Sequence, residues 1–194
     1  LFYAGLFLSV GEVSNMIGVA LTVPIAKRFG KKATFIYSNI ALAVLSVLFF
    51  FMPANTVAGL WGMMLMQVFI SIFTGIISPL IWSMYADVSD YAELKFNTAS
   101  TGLIFSSASM AQKFGGAVGG ASVMWLLAAV GYVQPQAGVS VTQPAEVVDY
   151  LWYLMTFVPC CVALLSIICV NFYPLTTEEV ENISRQLKKT RKQE

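Results

Sequence analysis

The chain has 194 residues, 58% of them hydrophobic and only 11% charged, with a net charge of +1 and no histidine. Soluble domains carry about 25% charged residues, so this much apolar surface cannot be hidden in a water-soluble core. The balanced charge also argues against a nucleic-acid partner, because phosphate binding needs a basic field.

Hydropathy divides the chain into five spans, each at or above the length of about 20 residues that crosses a bilayer. The first, 1–25, holds one deep carboxylate, Glu12, and runs into a basic turn, Lys27-Arg28-Phe29-Gly30-Lys31-Lys32. The second, 33–52, ends in a tight turn at 53–56. The third, 57–85, carries Trp82 near its end and leads into a charged loop at 86–100, which opens Ala86-Asp87-Val88-Ser89-Asp90-Tyr91-Ala92-Glu93. The fourth, 101–131, contains Ser109, Gln112 and a lone cation, Lys113, followed by two overlapping small-xxx-small pairs, Gly115 with Gly119 and Gly116 with Gly120, which would let another helix approach closely. A polar segment at 132–149, with Pro135 and Pro144, precedes the fifth span at 150–173. Pro79 and Pro159 fall inside spans, where neighbouring helices can satisfy the freed carbonyls. Cys160, Cys161 and Cys169 share one apolar run without CxxC spacing, which reads as packing thiols and not as a metal site or disulfide framework.

After Pro174 the tail changes character. Thr176 to Glu179 has the capping-box form, and Val180, Ile183 and Leu187 recur at helical spacing with basic residues following. The expectation is an amphipathic helix lying on the membrane surface and held to anionic lipid by its basic end. Residues 1–173 are thus read as a transmembrane bundle and 174–194 as a cytoplasmic tail.

Apart from Lys113, the basic residues all fall on one side. Lys27, Arg28, Lys31 and Lys32, then Lys95, then Arg185, Lys188, Lys189, Arg191 and Lys192 share a face, while the two opposite loops have no Lys or Arg. The positive-inside rule makes that face cytoplasmic, so the first span starts outside and the C-terminus ends inside. A chain that begins outside, within an apolar run and without an initiator Met, is expected to be a fragment whose earlier spans are missing.

Depth sorts the remaining charges. Asp87 lies roughly 45 Å along a helix started at Val57, beyond a hydrocarbon core of about 30 Å, so Asp87 and Asp90 sit at the cytoplasmic mouth. With Glu93 three residues further on, they would form a negative stripe if the helix continues. Lys113 lies roughly 18 Å into its span, too deep to reach an interface, and should line a water-filled cavity or meet a carboxylate such as Glu12. Ser109 one turn earlier and the adjacent Gln112 add a hydroxyl and an amide, a donor and acceptor set suited to a sugar. Glu12 reads as a proton or cation coupling group, a substrate acceptor or one half of a structural pair, and Trp82 as packing or a stacking surface for a sugar ring.

The basic turn, the span ending in Asp87-Val88-Ser89-Asp90-Tyr91, and Gly102, Phe105, Ser106, Gln112 and Lys113 in the following span together resemble the glycoside-pentoside-hexuronide:cation symporters of the major facilitator superfamily. The likeness covers essentially the whole chain. It implies an all-α membrane protein, with the five spans as the eighth to twelfth of twelve in a C-terminal bundle of the inner membrane. It also implies a sugar or glycoside substrate and a co-transported Na⁺, H⁺ or Li⁺, with no cofactor beyond these. The missing N-terminal half of the same chain would be the partner. A cytoplasmic gate would use Asp87, Asp90 and Glu93 with Lys31, Lys32 and Lys95, while Lys113, Ser109, Gln112, Glu12 and Trp82 would line the substrate cavity.

Two other functions are compatible with the residues. One is major facilitator transport of another substrate, such as a lysolipid or peptide. The other is an integral-membrane enzyme using Asp87 and Asp90 as Mg²⁺ ligands or an acid/base pair. The chain has no Gly-rich phosphate loop and no further Asp or His at ligand spacing to accompany them.

Overall fold

The computed structural model describes residues 2–53, 56–98, 100–133 and 143–190. Within them the chain forms six helices: α1 (Phe2–Phe29), α2 (Lys31–Phe50), α3 (Val57–Phe96), α4 (Thr101–Ala129), α5 (Ala145–Asn171) and α6 (Thr177–Thr190). Four of them, α1, α2, α3 and α5, are both long and apolar enough to cross a membrane. α4 matches them in length with 29 residues, but its Ser, Gly, Gln and Lys content dilutes its apolarity.

The helix boundaries depart from the sequence expectation in one functionally important place. Residues 86–96, read as a charged loop, continue α3, which is 40 residues long. Ala, Leu, Glu and Lys favour helix locally. The extension also has a surface to pack on, since Val88 and Tyr91 lie against Leu175, Ile183 and Leu187 of the tail. α3 ends at Asn97, which adopts the left-handed conformation at φ 51°. Ser89 and Thr101 hydroxyls then meet at 2.6 Å and fasten the start of α4 to α3. Thr56 caps the other end of α3, its hydroxyl accepting from the Gly59 N–H at 3.0 Å. The break between α1 and α2 falls on one residue, Gly30, whose φ of 83° suits glycine because it has no Cβ.

α3 is the centre of the bundle. It packs most extensively on α1 and also meets α2, which in turn lies along α5. α1 and α3 approach almost backbone to backbone: a Cβ on Gly18 would overlap the Ile72 carbonyl, and one on Gly75 would overlap the Asn15 carbonyl. The Thr22 hydroxyl donates across the same seam to the Ile76 carbonyl at 3.3 Å. Without water to compete, close van der Waals contact and such hydrogen bonds are what hold membrane helices together. Phe35, Leu80, Met84 and Val170 form a buried cluster where α2, α3 and α5 meet. At the opposite end of α2, Phe49 and Phe50 pack on Trp152, Tyr153 and Phe157 of α5, and the Trp152 N–H donates to the Phe50 carbonyl at 3.2 Å.

α4 behaves differently. It touches α3 and α5 sparsely, and Leu127 is its one buried residue among those described. The close approach expected at Gly115, Gly116, Gly119 and Gly120 does not occur among the described residues, since nothing lies within 4 Å of where their Cβ atoms would be. Among the described residues, Gly18 and Gly75 instead admit the backbone of a neighbouring helix.

The tail also differs from the sequence reading. The capping box forms: Glu179 accepts from the Thr176 backbone N–H at 2.7 Å and from its hydroxyl at 2.9 Å, while the Glu179 N–H donates back to that hydroxyl at 3.3 Å. The apolar stripe of α6, however, is buried against α3 and Tyr173 and does not face lipid. The α3 extension supplies an apolar partner, and burial there removes the stripe from water. Arg191, Lys192 and residues 134–142, with Pro135, lie outside the described residues.

Candidate functional site: an ion pair under the tail and an uncovered polar helix

The basic turn, the acidic end of α3, the end of α5 and α6 converge at one end of the bundle. Asp87 is brought there by helix periodicity, because it continues the buried stripe Ile76, Leu80 and Met84. Lys31 is the first residue of α2, where the helix dipole disfavours a cation. Its side chain donates to both Asp87 carboxylate oxygens at 2.7 Å. Of the residues read as gate candidates, Lys31 and Asp87 thus form an ion pair. It joins α2 to α3 within one bundle.

Lys32 does something the sequence did not suggest. Its ammonium donates to the Tyr173 carbonyl at 2.7 Å and the Asn171 carbonyl at 3.3 Å, meeting orphan acceptors at the C-terminus of α5. Tyr173, just past that helix, projects a hydroxyl that is buried and has no hydrogen-bond partner among the described residues. Tyr173 carried no signal in the sequence, where it was one aromatic at a span end.

The other predicted gate residues separate. Lys95 donates to the Tyr91 hydroxyl at 2.7 Å and lies over the Tyr91 and Phe96 rings, without meeting the Asp87 pair. Asp90, three residues past Asp87, is half-buried and forms no ion pair among the described residues. Glu93 lies on the same extension of α3.

The predicted cavity residues are spread over three helices. Trp82 stacks on Phe105 of α4 with ring centroids 6.0 Å apart and meets Tyr85 edge-on at 5.8 Å. That contact turns the Phe105 and Ser109 side of α4 toward α3, and Ser109 is half-buried there. Gln112 and Lys113 follow one turn on and are exposed. Glu12 is exposed on α1, about a right angle away from the Gly11, Gly18 and Thr22 face that packs on α3. Glu12 and Lys113 do not pair with each other among the described residues.

No group of three or more Cys, Asp or Glu side chains among the described residues could hold a metal ion. Asp87 in particular has both oxygens committed to Lys31. Cys160, Cys161 and Cys169 are free thiols on α5.

Long apolar helices knit by a glycine seam, with an ion pair at one end, describe a multi-pass membrane protein. Residues 2–177 match the MFS/sugar transport protein family, and the chain belongs to it. It is 34% identical over 185 residues to YagG of Escherichia coli (strain K12), a protein provisionally named a glycoside/cation symporter, covering 95% of this chain and 39% of that one. It is 31% identical over 182 residues to the inner membrane symporter YicJ of the same organism, covering 93% of this chain and 38% of that protein. Identity is also 31% over 169 residues to the isoprimeverose transporter of Lactiplantibacillus pentosus, covering 84% of this chain and 32% of the relative. The chain thus spans about two fifths or less of the length of these relatives. No solved structure matches the chain at a significant level.

Proposed function

We propose that this chain is the C-terminal part of a secondary active transporter that moves a sugar or glycoside together with a cation by alternating access. The observation that carries this reading is α4: in a chain of the sugar transport family, it leaves Gln112, Lys113 and a run of glycines unpacked on a helix of membrane-spanning length. A cation at mid-span is costly in hydrocarbon, so Lys113 belongs in a water-filled cavity. The rest of a longer chain would close over it. An ammonium, an amide and the Ser109 hydroxyl suit an uncharged, hydroxyl-rich ligand, Trp82 and Phe105 form one aromatic wall, and Glu12 is the carboxylate available for coupling.

In this reading the basic end is cytoplasmic, the protein sits in the inner membrane, and 174–194 is a cytoplasmic tail beside the 1–173 bundle. The Lys31–Asp87 pair holds the end of the bundle rigid, since both partners belong to it. Asp90, without an ion-pair partner among the described residues, is the group that reaches a cation on the opposing bundle when the cytoplasmic side closes. Na⁺, H⁺ or Li⁺ is the co-substrate, and the protein is a transporter and not an enzyme.

The test is transport by the full-length protein in proteoliposomes. Addition of the correct sugar or glycoside should drive cation entry, and an imposed cation gradient should drive sugar accumulation. Turnover of a substrate that depends on Mg²⁺, with no cation-coupled uptake across a panel of glycosides, would overturn the reading.

A further inference from the structure

Gly30 and the first two residues of α2, Lys31 and Lys32, contact three different elements. Gly30 lies against the N-terminus of α6, where a Cβ on Gly30 would come within 2.5 Å of the Thr177 hydroxyl oxygen. Lys31 holds Asp87 of α3, and Lys32 holds the carbonyls that end α5. The turn is therefore the junction between the tail, the ion pair and the last membrane helix.

The same elements line a cavity of about 390 Å³ that is partly open to the outside. Thr22, Lys31, Ser83 and Asp87 line it from the bundle, and Thr177 and Val180 close it from α6. The apolar residues Ile183 and Leu187 anchor that wall on Val88 and Tyr91 of α3.

We propose that α6 is a latch: docked on α3, it shields the Lys31–Asp87 pair from cytoplasmic water, and its release opens the cavity beside that pair. An ion pair screened by protein is stronger than one bathed in water, so the position of α6 sets how firmly α2 and α3 are held at this end. Docking is one-sided. The anchor is a single apolar stripe on a 14-residue helix whose opposite face is charged, so α6 can leave without disturbing the membrane helices.

The inference rests on the proposed orientation, and its test is an accessibility measurement that does not require transport. The full-length protein, with native cysteines replaced and Ser83→Cys introduced, is exposed in inside-out vesicles to a membrane-impermeant maleimide. With α6 intact, labelling should be slow. Ile183→Asp, which places a charge in the docking stripe, should accelerate labelling at least tenfold, whereas Glu178→Ala on the exposed face should leave it unchanged.

Gly30→Ala supplies a second, steric route, because the new methyl displaces the start of α6 without touching its apolar stripe. It should accelerate labelling too, and adding Thr177→Ala should return labelling to the slow rate by removing the hydroxyl that the methyl meets. Unchanged labelling in both Ile183→Asp and Gly30→Ala overturns the latch. So does fast labelling that persists in the Gly30→Ala/Thr177→Ala protein, since strain within the turn would then be the cause. A latch that responds as stated in a protein that moves no sugar would sink the transport reading and leave this one standing.

Discussion

Lys31 Nζ lies 2.7 Å from both carboxylate oxygens of Asp87, yet the two side chains are unequally sheltered, at 32% and 8% exposure. The asymmetry makes the two halves of the pair inequivalent under mutation. Removing the lysine strands a carboxylate that has little water to turn to, whereas removing the carboxylate leaves an ammonium able to reach solvent. Lys31→Met should therefore destabilise the detergent-solubilised protein by about 3 kcal/mol, and Asp87→Asn by about 1 kcal/mol. The Lys31→Met/Asp87→Asn double variant should recover most of the loss. Equal costs for the two single variants in a denaturant titration would contradict this account of the pair.

Asp90 is expected to behave as a gate residue without a structural role in this bundle. In the full-length protein, Asp90→Asn should lower active accumulation of sugar and raise cytoplasmic accessibility of the substrate cavity, because one ion pair that differs between the two states is lost. Stability should change by no more than roughly 0.5 kcal/mol, as for a surface substitution. Normal accumulation by the Asn variant would remove Asp90 from the gate.

Lys113 meets no carboxylate among the described residues, so its replacement should spare the fold. Lys113→Met is expected to keep its unfolding midpoint while sugar affinity falls roughly tenfold to hundredfold, the loss of one hydrogen bond to a charged donor at about 1.5–3 kcal/mol. Lys113→Arg should recover part of that affinity, since a planar guanidinium replaces a compact ammonium imperfectly. Isothermal binding measurements on both variants decide it, and loss of folded protein in the Met variant would point to a structural partner outside this chain segment.

The α1–α3 seam predicts a steric cost at one glycine and none at another. Gly18→Ala must push a methyl into the Ile72 carbonyl, which belongs to the backbone and cannot rotate away. Such overpacking costs about 1–3 kcal/mol. Gly5→Ala in the same helix has nothing within 4 Å and should be neutral or slightly stabilising. Thermal midpoints of the two variants, compared in the same detergent, check the seam.

The capping box gives the tail a pH dependence of known sign. Hydrogen bonds from the Thr176 backbone N–H, and then from its hydroxyl, hold the Glu179 carboxyl below its ordinary value of 4.5. A folded-state value depressed in this way means that the stabilisation is complete above the unfolded value and is lost as pH falls through the folded one. Hydrogen exchange at the first turn of α6 should therefore quicken as pH is lowered below about 4.5, after correction for intrinsic rates. Glu179→Gln should flatten that dependence.

Much of this protein was written in its hydropathy. A core about 30 Å thick admits only helices that satisfy their own backbone, so an uncharged stretch such as 57–85 determined a spanning helix wherever its neighbours lie. The one-sided lysines and arginines determined which ends gather together, and the Thr176–Glu179 spacing determined where the tail helix starts, because both depend on residues close in sequence. Tertiary structure decided the rest. Whether Lys31 or Lys32 would take Asp87 depended on the direction in which α2 leaves Gly30, and adjacent residues on a helix point about 100° apart. Which glycines admit a neighbour was settled by the α1–α3 seam at Gly18 and Gly75, although Gly115 to Gly120 carried the stronger pattern. The apolar stripe of α6 had two possible partners of equal hydrophobicity, lipid or protein, and only the extension of α3 past Ala86 placed a protein surface within its reach.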